Sequence, residues 1–133
     1  MDKRIIDPEP WMVGAGFVPA VEVSGTGRTL YVAGVTSVDA NGAPLHEGDM
    51  GKQLIQAIDT LEAVLKSAGY SLSDIVRLTS YTTDMDAFRK VRPALQKRFD
   101  DANCHYAASL IGVARLARPQ DLLELEATAV SGS

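Results

Sequence analysis

The nine residues Leu122–Val130, LLELEATAV, decide how this chain folds. Read with a period of two, Leu123, Leu125, Ala127 and Ala129 fall on one face, and Glu124, Glu126 and Thr128 on the other. This is a strand with one face made for a core. Its other face carries two carboxylates pointing the same way, roughly 7 Å apart at ~3.4 Å per residue.

Working outward, HYAASLIGVARL at 105–116 reads as the strand before it. Upstream, Asp84 is placed to cap a helix through Phe88, Val91, Leu95 and Phe99, and Pro93 inside it predicts a kink or a break into two pieces. IVRLTSYTT at 75–83 is rich in β-branched residues and predicts a strand. Asp49 is placed to cap a helix running to about Ala68. Its stripe of Met50, Leu54, Ile58, Leu61 and Leu65 recurs at steps of three and four, and Gly69 stops it. RTLYVAG at 28–34 and FVPAVEV at 17–23 read as strands, with Pro19 marking an edge or a bulge. SGTG joins them, and DANG at 39–42 is a tight turn. A short strand at 3–6, an irregular arm at 7–15 and a flexible tail at 131–133 complete the chain.

The order is β-β-α-β-α-β-β in one domain spanning 1–133: an α/β (α+β) chain with a mixed sheet. Two amphipathic helices cover only one face of such a sheet. On 28–34 the second face holds Thr29, Tyr31 and Ala33, so it is half apolar as well as acidic. Burial against another subunit accounts for both.

Composition narrows the function. Hydrophobic residues make up 46% and charged residues 23% of the 133, with a net charge of −4 and a pI of about 5.1. Such a chain is a poor partner for phosphate backbones or anionic membranes. Apolar runs fall short of the ~20 residues of a membrane span. MDKRIIDPEPW has no apolar signal region, and the one cysteine forms no internal disulfide; the expected location is the cytoplasm.

Glu124 and Glu126 are the leading chemical candidates. In a poorly hydrated interface one carboxyl is held protonated more readily, and it can hold or activate a water. The competing reading is a solvated face, or an ion pair across subunits with Arg77, Arg115 or Arg118. Cys104 and His105 are neighbours, which a strand would point to opposite faces, so they do not make a thiolate–imidazolium pair; Cys104 reads as a small buried hydrophobe. His46 and His105 lack the ligand spacing of a zinc site. Gly25-Thr26-Gly27 is a turn and lacks the helix of a phosphate loop. The arginines form no stripe with interleaved aromatics, so nucleic acid is not an expected partner. Trp11, Phe17 and Tyr31 fill the core or line a small pocket.

FVPAVEV, LYVAGVTSVDANGAPL, QAIDTLEAVLKSAG with SLSDIVRLTSYTTDM, and ASLIGVARLARPQDLLELEATAV, in this order, resemble the Rid family, also called YjgF or L-PSP proteins. The resemblance covers about residues 14–130. It implies a chorismate-mutase-like subunit with two helices on one side of a mixed sheet. Three subunits would close into a barrel-forming homotrimer with small-molecule pockets at the interfaces. It also implies hydrolysis of enamines and imines without metal or cofactor. The family's water-positioning glutamate falls on Glu124, and its backbone positions on Gly34 and Leu110. Its carboxylate-gripping arginine falls on Ala108, a pocket phenol on Phe17, and a serine on Ala33. Ser109 and Glu126 border the same pocket.

By resemblance, then, the charge has left this pocket. Losing a buried bidentate contact to a carboxylate costs a few kcal/mol. The expectation is a neutral or cationic, more apolar ligand, and poor deamination of 2-imino acids. If the protein is an enzyme, it hydrolyses a neutral imine or enamine with Glu124 as base; the alternative is a binding or regulatory module without turnover. A ribonuclease, the activity in the name L-PSP, is disfavoured by the acidic pI and the lack of a histidine pair. Arg115, seven residues beyond Ala108 on an extended strand, would lie roughly 24 Å away at ~3.4 Å per residue, too far to replace the arginine within one subunit.

Overall fold

The computed structural model describes residues 1–8 and 16–132. The strands are β1 Asp2–Ile6, β2 Ala20–Ser24, β3 Arg28–Val35, β4 Ile75–Thr82, β5 Ala107–Gly112 and β6 Leu123–Ser131; the helices are α1 Met50–Ser67 and α2 Met85–Asp101. β1 and β2 make an antiparallel ribbon, and the other four strands form a sheet in the order β3-β6-β4-β5. β6 runs antiparallel to both neighbours. β4 and β5 are parallel, and α2 is their crossover.

The alternation of β6 holds. Leu123, Leu125 and Ala129 have no exposed surface, whereas Glu124, Glu126 and Thr128 are half-buried on the opposite face. Both helices lie on the apolar face. In α1, Asp49 accepts from the Lys52 amide at 3.0 Å, and Met50, Leu54, Ile58, Leu61 and Leu65 are all buried. Gly69, at φ +80°, ends the helix in the left-handed region that a side chain resists. In α2, Asp84 caps through the Ala87 amide at 3.1 Å.

The structure corrects several boundaries. The break expected at Pro93 does not occur, since α2 is continuous from Met85 to Asp101. A proline inside a helix costs about 3 kcal/mol, but Phe88 before it and Leu95 and Phe99 after it are all buried. Each such side chain gains about 1.5–3 kcal/mol from burial, so packing on both sides outweighs the lost bond. The strand expected at 17–23 begins only at Ala20. Before Pro19, Val18 instead bridges to the edge of β5, its amide donating to the Tyr106 carbonyl at 3.0 Å. The strand expected over 105–116 is only Ala107–Gly112, so Arg115 lies in the following loop and not on an extended strand. Ser131 belongs to β6, not to a free tail. Trp11 and most of the predicted arm, 9–15, lie outside the described residues.

Loop 113–122 is tied to α1 by a buried amide. Gln53 donates to the carbonyls of Gln120 at 2.9 Å and His46 at 3.2 Å, and accepts from the Leu122 amide at 2.9 Å. This fixes where β6 begins, and therefore where Glu124 stands. No helix among the described residues is long and apolar enough to cross a membrane.

Candidate functional site

The sequence-predicted site residues divide between the two faces of the sheet. Glu124 lies opposite Tyr81, and Glu126 opposite Thr79. Across β5, Ser109 stands beside Thr79, and Arg77 donates to the Ser109 hydroxyl at 2.8 Å. Gly34, Ser109, Glu124 and Glu126 thus belong to the open face. Ala108 and Leu110 pair with Leu78 and Ser80 and pack, with Phe17, against the helix-side core.

On the open face, β3 is bulged. Val32 pairs with Ala127 and Val35 with Leu125, so Ala33 and Gly34 together stand opposite Glu126. A bulge of this kind re-aims side chains. Glu124 fills the space that results: a Cβ on Gly34 would lie 2.6 Å from Glu124 Cδ and 2.8 Å from its Oε1. Only glycine lets the carboxyl lie there.

Glu124 is held above the ordinary carboxylate range, first by desolvation and then by the charges of Asp121 and Glu126. Asp121 is also raised, by burial, against the opposing charge of Arg118. Glu126 accepts a short hydrogen bond from the Tyr81 hydroxyl. That bond is the main reason the phenol is raised, with desolvation and both glutamates adding to it. Of the pair, then, Glu126 is occupied by Tyr81, while Glu124 has its carboxyl against a glycine. A partly dehydrated carboxylate of this sort suits a general base.

On the helix side, Phe17, Ala108 and Leu110 line a cavity of about 400 Å³, which Ser109 also borders although its hydroxyl meets Arg77 on the open face; the volume is within the usual size range for small-molecule sites. Arg89 and Arg92 of α2 also line the cavity, as does Tyr106. Sequence reasoning missed these three. The signal available was the i, i+3 spacing of the two arginines beside the apolar stripe Phe88–Leu95, which puts them on one helix face. Only the crossover brings that face over β5.

Cys104 is 6% exposed and donates to the Ile75 carbonyl at 3.3 Å; burial pushes its thiol up to about 11. It is the buried hydrophobe that was expected. His105 and His46 are exposed. Arg118 donates to the Gly42 carbonyl.

Two helices backing one face of a mixed sheet, with carboxylates on the other, make this a YjgF-like, chorismate-mutase-like α+β protein. The family model described as Endoribonuclease L-PSP matches residues 11–131. The chain belongs to this family, the Rid or YjgF/L-PSP proteins. It is similar to a RutC family protein of Pyrococcus abyssi, 32% identical over 97% of this chain and 98% of that one. It is also similar to the 2-iminobutanoate/2-iminopropanoate deaminase of Salmonella typhimurium, 30% identical over 87% of this chain and 90% of that protein. Among solved structures, a Rid family protein of unknown function from Yersinia pestis, YyfB, superposes with a TM-score of 0.85 at 37% identity, covering 98% of this chain and all of that one.

Proposed function

We propose that this protein is a cofactor-independent imine or enamine hydrolase in which Glu124 is the general base. Its pocket is completed at the subunit interfaces of a homotrimer. Its substrate bears no carboxylate on the reacting carbon, so it is not an efficient 2-imino acid deaminase. The observation that carries this reading is the Glu124 carboxyl, partly dehydrated and seated against Gly34. The reaction class is supported by the likeness to a relative named as an imine deaminase.

The chemistry follows from that carboxylate. An enamine is first protonated at carbon to give the imine. Glu124 then takes a proton from a water as its oxygen adds to the C=N carbon. The carbinolamine collapses, the nitrogen leaves as ammonia with the protons supplied by Glu124 and the hydroxyl, and a carbonyl remains. In one subunit Glu124 and the Ala108 cavity stand on opposite faces of the sheet, so a site using both needs a second subunit. The half-apolar open face, with Tyr31 81% exposed, supports such an assembly.

Glu124→Gln tests the base directly. Loss of a positioned general base lowers kcat by about 10²–10⁴-fold. The substrates are imines made in situ from apolar amines by an amine oxidase, followed by ammonia release. Unchanged turnover in the variant removes Glu124 from the mechanism. Ligand binding without turnover in the native protein leaves a binding module instead.

A further inference from the structure

We propose that Tyr81 is a positioning residue for the general base: its hydroxyl holds the Glu126 carboxylate in place, so that one glutamate of β6 serves as a fixed charge and the other, Glu124, is left to take the proton from water. The inference rests on the hydrolase reading and adds the residue that divides the two roles between two like side chains.

The first observation is the register. Tyr81 of β4 stands directly opposite Glu124, and Thr79 opposite Glu126. The Tyr81 hydroxyl nevertheless donates to Glu126, its diagonal neighbour, and not to the carboxylate across from it. Diagonal partners on one face of an antiparallel pair lie within reach of an aromatic side chain. A phenol has one proton to donate, so Glu124 receives none from Tyr81. The second observation is independent of the bond. Glu126, Tyr81 and Arg77 line one cavity of about 490 Å³ on the open face, and Glu124 is not among its described lining residues. Glu124 lies instead against Gly34, where a Cβ would meet its carboxyl at 2.6 Å. The two carboxylates, two residues apart on one strand, are directed into different spaces.

The neighbours decide what each can do. Arg77, the cation of that cavity, donates to the Ser109 hydroxyl at 2.8 Å. The charges that act on Glu124 are Asp121, just before β6, and Glu126 on β6 itself. Arg118 acts on Asp121, and Arg77 on Tyr81. From β3 come Gly34 beside Glu124 and, further along, Tyr31 opposite Thr128; from β5 comes the uncharged Ile111 beside Tyr81. A hydrogen bond donated to a carboxylate favours its ionised form. Tyr81 therefore keeps a negative charge at a fixed place beside Glu124. That charge adds to the desolvation that holds Glu124 above the ordinary carboxylate range, where it is the stronger base.

The test is carbon-13 NMR titration of protein labelled at glutamate carboxyls and tyrosine Cζ, with kcat/KM followed over the same pH range. Glu126→Gln removes the neighbouring charge, so the Glu124 midpoint should fall and the acid limb of kcat/KM should move to lower pH. The Tyr81 phenol should also titrate at lower pH in this variant, because the bond to Glu126 is the main cause of its raised value. Tyr81→Phe frees the Glu126 side chain and should lower the Glu124 midpoint in the same direction, by less. In the Glu126→Gln background Tyr81→Phe should move Glu124 no further, whereas Asp121→Asn should lower it in every background. A merely structural hydroxyl would change stability and leave the Glu124 titration where it is. A Glu124 midpoint unmoved by Tyr81→Phe, or moved equally with and without Glu126, overturns the proposal, as does a Tyr81 phenol unmoved by Glu126→Gln. The titrations need no substrate, which separates the two readings. The expected shifts in a protein whose turnover ignores Glu124 keep the hold of Tyr81 on Glu126 and remove the hydrolase. Turnover that depends on Glu124, without the shifts, does the reverse.

Discussion

Replacing Gly34 by alanine separates the position of Glu124 from its chemistry. Gly34 does not need the left-handed backbone, so alanine is tolerated there except for what its Cβ meets. It meets Glu124, at 2.6 Å from Cδ, 2.8 Å from Oε1 and 2.9 Å from Cγ. Carbon atoms rest at about 3.5–4.0 Å, so the carboxyl must retreat by about 1 Å. A misplacement of that size at a catalytic group costs up to about 10²-fold in rate, which is about 2.7 kcal/mol of transition-state stabilisation. Stability should hardly change. The clash is with the end of a movable side chain, and loss of the glycine's freedom in the unfolded chain offsets it by about 0.4–1 kcal/mol. Ammonia release from in situ imines gives kcat/KM, and urea unfolding gives stability. Gly34→Ala is predicted to lose about 100-fold in kcat/KM while moving stability by less than about 1 kcal/mol. In a Glu124→Gln background the same change should cost nothing further. Full activity in Gly34→Ala, or effects of the two changes that simply add, would refute the claim that Gly34 acts through Glu124.

Three further outcomes follow from the same structure. Tyr106→Phe removes a buried hydroxyl without a partner and should stabilise the ligand-free protein by about 1 kcal/mol, read as a rise of a few degrees in Tm; a fall of that size would mean the hydroxyl is satisfied in solution. Cys104, with its thiol pushed up to about 11, is ionised in only about one molecule in a thousand at pH 8, so a disulfide-exchange reagent should label it only on unfolding, and stoichiometric labelling within minutes would contradict its burial. A general base acts in its ionised form, so the proposed role of Glu124 predicts that activity is lost as pH falls through its raised pKa. Asp121 helps to raise that pKa, and Asp121→Asn should therefore shift the acid limb of the kcat/KM profile to lower pH. The stability sign is opposite: ionised Glu124 is a cost to the folded state, relieved as pH falls through the same range. An acid limb that stays put in Asp121→Asn would assign that limb to another group.

The sequence was most legible where one period governs many residues. The two faces of β6 and the stripe of α1 follow from spacing alone, and the caps Asp49 and Asp84 mark the helix starts through single local hydrogen bonds. Where tertiary contacts decide, local rules failed. Pro93 breaks helices in isolation, but Phe88, Leu95 and Phe99 fasten α2 to the core on both sides of it. The run 105–116 has strand composition along its length, yet pairing with β4 stops at Gly112, and Gln53 then draws the following loop onto α1. The site was half legible. Glu124 was readable from alternation, and its glycine neighbour from the resemblance. Arg89 and Arg92 went unmarked in the sequence, because the crossover that brings them to the cavity beside Ala108 and Tyr106 is a property of topology and not of spacing.

Hydrolysis of freshly generated 2-aminoacrylate and of a larger apolar 2-imino acid, by the native chain and by Ala108→Arg, tests the central claim most directly. That claim is a Rid scaffold with its base in place and no arginine on the strand. It predicts little turnover of either 2-imino acid by the native protein, and a clear gain in the variant that also requires Glu124. Efficient turnover by the native protein would contradict it, since some other group would then grip the substrate's carboxylate at the reacting carbon.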